Sequence, residues 1–344
     1  MSDYLSYEDM MSIPAREVSE SSKLASNPVV SVMMTTYNHD KYIAQAIEGV
    51  VMQRCDFPFE LLIGEDCSTD RTRAICQTYQ SRYPQILRII TTDHNVGAHK
   101  NFFRLSARAR GRYLAFCEGD DYWCDENKLE KQVRLLDSHP DMNLCFSRAG
   151  ICHGDCEKVV TEWYPRREKH CYAIEDFISG RVSPATCTVC IKREVLSRLP
   201  RFMEDGPLGD WPLFVQALVR GYAGYIPEPL AVYRLHPNGL WSSVTAEKRY
   251  EGFKVSNRLL RTHFGSRYEK HFDTSLARAY CNYAERSCMQ SGIYGISVVI
   301  TALNRSPVPL WRAGRGLIVF LMHVGFPKIY ARLLAENVIR RMQP

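Results

Sequence analysis

The chain has 344 residues, 45% of them hydrophobic and 24% charged, which suits a sizeable globular fold and excludes a disordered or collagen-like polymer. Its 44 Lys+Arg against 38 Asp+Glu give a formal charge of +6, too mild to mark a nucleic-acid binder. The charge is uneven: residues 247–344 hold 16 basic and 6 acidic side chains, and the remainder holds 28 and 32, so a mildly acidic body carries a basic C-terminal third.

Thirteen cysteines, odd in number and irregularly spaced, with no apolar leader pattern ahead of them, point to reduced thiols and a cytoplasmic setting. No run reaches the roughly eighteen apolar residues of a spanning helix.

Residues 1–27 are polar and lack sustained periodicity, and read as an arm that docks on the body or stays mobile. From Pro28 the pattern changes. Val29 to Thr36 reads as a buried strand, Lys41 to Gln53 as a helix with Ile43, Ile47, Val50 and Val51 on one face, and Phe59 to Gly64 as a second strand. Thr69 to Arg82, Ile86 to Thr91, Phe102 to Ala109 and Arg112 to Cys117 continue the alternation as helix, strand, helix, strand. Such alternation implies right-handed crossovers, a mostly parallel sheet with helices on both faces, and a ligand beyond the carboxyl ends of the strands.

The residues at those ends are hydroxyls, an amide and many acids: Thr35, Thr36, Tyr37 and Asn38 after the first strand, Glu65 to Asp70 after the second, and Glu118, Gly119, Asp120 and Asp121 after the fourth. Any one group fits an ordinary capped turn. Together, acids at one sheet edge are unfavourable unless a cation or hydrogen-bond donors offset them. A divalent Mg²⁺ or Mn²⁺ that bridges carboxylates to phosphates would do so. Neither a G-x-x-x-x-G-K-[ST] loop nor a G-x-G-x-x-G fingerprint is present.

The ordered set Val-Ser-Val-Met-Met-Thr-Thr-Tyr-Asn (30–38), Gly-Glu-Asp-Cys-Ser-Thr-Asp (64–70), Asn95-Val96-Gly97 and Glu-Gly-Asp-Asp-Tyr-Trp (118–123) resembles the family-two glycosyltransferases of the GT-A fold, from about Val29 to Ser243. The resemblance implies an α/β/α three-layer sandwich with a mostly parallel sheet, followed here by a helical C-terminal region. The implied divisions are an arm at 1–27, a catalytic domain at 28–245 with a nucleotide half (28–123) and an acceptor half (124–245), and a basic helical region at 246–344. It also implies inverting transfer of a sugar from a nucleotide-diphosphate sugar, with Mn²⁺ or Mg²⁺, to a glycan or lipid-linked acceptor.

Carried over residue by residue, Thr35 and Tyr37 fall at the nucleotide base and Asp66 where a carboxylate accepts from the base N–H. Lys100 stands where members often carry an Arg, Asp120 faces ribose or metal, and Asp121 ligates the metal. Asp210 falls at the general base, and His236 at a further metal or phosphate contact. Trp241 either stacks on a sugar face or belongs to the core. The sequence departs from the pattern at Cys67, where Gly is usual, and at Glu118, where Asp is frequent.

Each residue keeps a plainer reading. Asp210 with Pro212 close behind suits a helix N-cap and first turn, Lys100 a solvated lysine, and His236 a surface histidine. Cys152-His153-Gly154-Asp155-Cys156 and Cys187-Thr188-Val189-Cys190 resemble two halves of a zinc site, but Thr186 to Lys192 reads as one extended segment, in which Cys187 and Cys190 point to opposite faces.

Ala246 to Phe264 and Thr274 to Ser291 read as helices. From Val308 the mix of apolar faces, aromatics and basic residues suits an interfacial helix on an anionic membrane surface, a peripheral placement on the inner membrane face. A nucleotidyltransferase and a non-catalytic glycan- or nucleotide-binding module are the rival readings; nucleic acid is not an expected partner.

Overall fold

A computed structural model describes residues 3–290 except 155, 157, 164, 166, 167 and 208. The interfacial helix expected from Val308 lies outside the described residues. The chain divides into two compact units, Met1–Phe177 with Arg181–Ser243, and Ile178–Gly180 with the chain from Val244 on.

The first unit opens with α1 (Tyr7–Met11) and β1 (Arg16–Val18) and then alternates regularly: β2 (Val30–Thr36), α2 (Ile43–Val51), β3 (Phe59–Glu65), α3 (Thr72–Arg82), β4 (Leu87–Thr91), α4 (Ala98–Ser106) and β5 (Tyr113–Phe116). It continues with β6 (Tyr122–Trp123), α5 (Lys128–Ser138), β7 (Met142–His153), β8 (Val159–Trp163), β9 (Cys171–Tyr172), α6 (Ile174–Ile178), β10 (Cys190–Lys192), α7 (Asp210–Ala217) and β11 (Tyr222–Leu235). Among the described residues the strands form one sheet of order β1-β4-β3-β2-β5-β10-β7-β11-β6. The central β4, β3, β2 and β5 pair in parallel, as do β7 and β11, while β1, β6 and β10 run antiparallel to their neighbours.

Strand alternation sorts the side chains into two layers. Val30, Val32 and Met34 of β2, with Leu61, Ile63, Leu87 and Ile89, join the apolar residues of α2, α3 and α5 in one core. On the opposite face Gly64 meets α4, where a Cβ would collide with the Asn101 side chain and come within 3.0 Å of Leu105. Glycine there lets the helix lie directly on the strand.

Of the two readings left open for the arm, the docked one is seen: β1 adds an antiparallel edge to β4, Leu5, Met10 and Ile13 are buried, and Ser6 with Asp9 forms a reciprocal capping box at 2.8 and 3.0 Å. Two local expectations change. The third helix starts at Ala98, not Phe102, because Gly97 at φ +89° turns the chain into it without a side-chain cap. The segment 186–192 is a 3₁₀ turn (Thr186–Thr188) followed by β10, not one extended piece.

Cys152 and Cys156 are brought side by side at the end of β7. The left-handed Gly154 and Cys156 reverse the chain beyond β7 and bring the two Cα atoms within 5.1 Å.

The second unit contains α8 (Ala246–Phe264) and α9 (Glu269–Gln290). Thr245 caps α8 through the Lys248 N–H at 3.3 Å, and Gly265 at φ +60° ends it. Asn257 is buried and donates to Phe272 O at 3.0 Å and Ser275 Oγ at 2.9 Å, and Arg261 pairs with Asp273 at 2.6 Å. Among the described residues no helix is long and apolar enough to cross a membrane.

Candidate active site

The carboxyl ends of β2, β3 and β5 are stitched into one rim. Thr35 O accepts from Gly119 N–H at 3.0 Å, and Thr36 O from Asp66 N–H at 3.1 Å. Position 119 needs glycine, since a Cβ would sit 2.6 Å from Thr36 Oγ1. The loops after β2 and β3 also interlock: Asn38 N–H donates to Ser68 Oγ at 3.1 Å, Thr69 N–H to Asn38 Oδ1 at 2.8 Å, and His39 N–H to Thr72 Oγ1 at 2.8 Å. Asp70 accepts from Thr72 N–H at 2.9 Å and so serves the start of α3.

Cys67 sits in this turn at φ +60°. That left-handed conformation explains why glycine suits the position, and a Cβ-bearing residue there is strained by about 1–2 kcal/mol. Asn38, at φ +55°, is a residue type that tolerates the region.

The acids behind the rim differ sharply. Glu65 is buried and accepts from Ser68 N–H at 2.6 Å, Arg73 Nε at 2.6 Å and Thr91 Oγ1 at 2.8 Å. Burial alone would raise its pKa, but these donors outweigh it and hold the carboxyl below the ordinary range. Asp66 is buried and accepts from Val96 N–H on Oδ1 at 3.0 Å and from Gly97 N–H on Oδ2 at 2.9 Å.

Glu118 is half-buried and its pKa is lifted to about 8, first by burial and then by the charge of Asp120. Asp121 is buried and pushed up by burial, then by Asp120 and Glu118; its Oδ1 accepts from Arg234 N–H at 2.8 Å. Asp120 takes the other direction. Burial works against ionisation, yet His236, at 3.0 Å from Nε2 to Oδ2, and His39, at 3.8 Å, hold it below the usual range.

These contacts bring β11 to the acidic loop. Arg234 is buried and donates to Asp120 O at 2.7 Å, Gly154 O at 2.6 Å and Gln45 Oε1 at 2.6 Å, with its guanidinium 4.6 Å from the Tyr42 ring centre. His236 packs on Tyr42 at 4.7 Å and edge-on to His39 at 6.1 Å. Neither His39 nor Arg234 was among the sequence-derived candidates. The signal for Arg234 was an arginine at the end of an otherwise apolar strand, two residues before His236; His39 directly follows the Tyr-Asn pair.

Asp210 is the first helical residue of α7, and Gly209, not Asp210, occupies the N-cap. The Asp210 carboxylate accepts from Trp211 N–H at 2.7 Å. The residue is exposed, yet its walls desolvate the carboxyl enough to raise its pKa. Its charge also contributes to lifting Glu118. His99 lies beside it, with ring atoms 3.2 Å from where a Gly209 Cβ would stand, and its pKa is lowered chiefly by burial with Asp210 opposing.

Thr35 is half-buried, Tyr37 and Trp241 are 43% and 44% exposed, and Lys100 is exposed on the first turn of α4. The structure thus brings Asp120, Asp121 and His236 together with Glu118 and His39, and leaves Lys100 and Trp241 at the surface.

Among the described residues no group of three or more His, Cys, Asp or Glu side chains is arranged to hold a metal ion. The donor set nevertheless suits a hard divalent cation: carboxylate oxygens with imidazole nitrogen. Glu118 Oε2, His39 Nδ1, His236 Nδ1 and Thr36 Oγ1, on the loops that build the rim, are buried without a hydrogen-bond partner, and buried polar groups ordinarily have one.

Residues 31–198 match the sequence family described as Glycosyl transferase family 2. The chain is 36% identical over 220 residues to the uncharacterized protein Rv1520 of Mycobacterium tuberculosis, covering 64% of this chain and 62% of that one, less than two thirds of the relative's length. It is 28% identical over 237 residues to the dTDP-rhamnosyl transferase RfbG of Shigella flexneri, covering 63% and 77%. Among solved structures, that of S. aureus TarS 1–349 in complex with UDP-GlcNAc aligns with a TM-score of 0.55 at 20% identity, covering 74% and 72%.

Proposed function

We propose, from the premise that the chain belongs to glycosyl transferase family 2 through residues 31–198, that it is an inverting glycosyltransferase. It would move a sugar from a nucleotide-diphosphate sugar to an acceptor hydroxyl in glycan or polysaccharide assembly. One observation carries the reading: the Asp120–Asp121 loop meets Arg234 and His236 at the end of β11, and the charge of Asp210 is felt by Glu118 at the start of the same loop. Donor-binding groups and a base on the acceptor side therefore share one site.

Asp210 is the general base. Its carboxylate takes the proton from the acceptor hydroxyl while that oxygen bonds to the anomeric carbon and the bond from that carbon to the diphosphate oxygen breaks. A single displacement of this kind inverts the anomeric configuration. A raised pKa brings a carboxyl nearer the operating pH, where a base is effective.

Asp120, Asp121 and His236 would hold the divalent cation, whose chemistry there is to offset charge on the diphosphate. Asp121 also anchors Arg234. Asp66, Thr35 and Tyr37 face the nucleotide base, and Trp241 offers an exposed ring to a sugar face.

Calorimetry with UDP-, GDP- and dTDP-sugars and Mn²⁺, followed by detection of nucleoside diphosphate release, tests the reading. Metal-dependent donor binding lost in Asp120→Ala supports it. Turnover of a nucleoside triphosphate with pyrophosphate release, or donor binding without turnover on any hydroxyl acceptor, overturns it. The basic residues 308–344 are proposed to contact an anionic membrane surface; sedimentation with anionic liposomes that is equal for the full chain and a form ending at residue 304 would remove that element.

A further inference from the structure

Arg104 is wholly buried in α4, far from any role in proton transfer, and its guanidinium has five N–H donors and no acceptor. A buried charge is retained only where partners compensate for lost water. Its four partners are two backbone carbonyls, one amide oxygen and one carboxylate, that of Asp66. Nε donates to Asn101 Oδ1 at 3.0 Å, Nη2 donates to Glu65 O at 3.0 Å and Asp66 Oδ1 at 3.4 Å, and Nη1 reaches Pro14 O in the arm at 3.4 Å. Asn101 in turn donates to Gly64 O at 2.7 Å.

An ionised carboxylate offers about four acceptor sites, two on each oxygen. On Asp66, Oδ1 is filled by Val96 N–H and Arg104, and Oδ2 holds Gly97 N–H. One site remains, on Oδ2. Uracil and thymine present a single imide N–H between two carbonyls, whereas guanine presents an N1–H and an amino N–H side by side and is best met by a carboxylate with both oxygens open.

We infer that Arg104 is a specificity-setting positioning residue: by occupying Asp66 Oδ1 it restricts the donor site to nucleoside diphosphates whose base carries one imide N–H, uracil or thymine. The inference rests on the reading of Asp66 as base-facing. It also makes the arm part of the donor site, because Pro14 O holds the far side of the same guanidinium.

The test uses the full chain with Mn²⁺ and four probes, UDP, dTDP, GDP and inorganic pyrophosphate, measured by calorimetry. UDP or dTDP is expected to bind at least about tenfold more tightly than GDP, the scale of one well-made hydrogen bond to a charged group. Arg104→Met should shrink that ratio and leave pyrophosphate binding unchanged. Arg104→Lys should restore part of the ratio, since an ammonium cannot reach Pro14 O, Glu65 O and Asp66 together.

A residue that only stabilises the fold would weaken all four probes in parallel. Parallel loss, GDP binding as tightly as UDP and dTDP, or an unchanged ratio in Arg104→Met overturns the inference. If Arg104→Met does not fold, the ratio in Arg104→Lys decides, and an unaltered ratio there overturns it. Asp66→Asn separates the two levels: if it leaves UDP and dTDP binding intact, the base-facing reading itself fails, whereas if it weakens them while Arg104→Met alters nothing, the failure is confined to Arg104.

Discussion

Residues 28–123 and 124–243, the proposed nucleotide and acceptor halves, are built by opposite means. Between residues 28 and 123 four parallel strands carry regular crossovers, and the functional groups sit on loops held by backbone bonds such as Thr35 O to Gly119 and Thr36 O to Asp66. Between 124 and 243 the strands are short or irregular. β7 and β11 pair in parallel with register shifts near Pro229, β9 is two residues long, and the side chains of Arg234 and His236 reach the loop after β5. Residues 28–123 form a regular parallel template. Residues 124–243 join it through the short β5–β10 and β6–β11 ladders, and at the site through the side chains of Arg234 and His236.

If that division holds, the largest effect belongs to the acceptor half. Asp210→Asn is expected to lower kcat by about 10³-fold, within the range for loss of a general base, while calorimetric donor affinity stays unchanged. Retention of full turnover would remove the base from the acceptor half altogether.

Arg234→Met tests the fastening. It strands the carbonyls of Asp120 and Gly154 and the side chain of Gln45, at a cost of about 3 kcal/mol in urea unfolding. A loss under about 1 kcal/mol would mean that the halves are held elsewhere.

The template has its own pH signature. Glu65 is held below the ordinary carboxylate range, so its stabilisation is present above the unfolded pKa and is lost as pH falls through the folded one. Glu65→Gln is therefore expected to cost about 2 kcal/mol at neutral pH and to flatten the acid limb of a stability-against-pH curve. An acid limb of unchanged steepness would assign it to other carboxylates.

The smallest expected change is a gain. Cys67→Gly relieves a left-handed residue but adds freedom to the unfolded chain, for a net stabilisation under about 1 kcal/mol. A clear loss in thermal midpoint would show that the thiol contributes contacts the strain conceals.

The same contrast governs what could be read from the sequence. Buried parallel strands are continuous apolar runs closed by polar residues, so β2, β3, β4 and β5 and the groups at their ends were legible, as were α2 and α8. The helical face of Ile43, Ile47 and Val50 is buried as its spacing requires. The arm was not legible, because Arg16–Val18 is a three-residue polar strand whose only signal is the edge it meets. Nor was the role of Arg234, whose carbonyl partners lie 114 and 80 residues away and leave no local pattern. Asp210 was identified as a candidate but placed one position early, since Asp is so common at N-caps that a glycine before it was passed over.

The three residues of β1 have a consequence for solubility. A sheet ends in unpaired N–H and C=O groups that invite a strand from another molecule, and without β1 the outermost strand would be Leu-Arg-Ile-Ile-Thr of β4, straight and mostly apolar. β1 occupies that edge with a short charged strand whose Glu17 is held by Arg88 of β4 at 2.8 and 2.9 Å, while the opposite margin, β6, is too short to template anything. A recombinant form begun at residue 28 is thus expected to self-associate edge to edge, so a domain trimmed to its apparent catalytic limits would be a poorer specimen than the chain that keeps its arm.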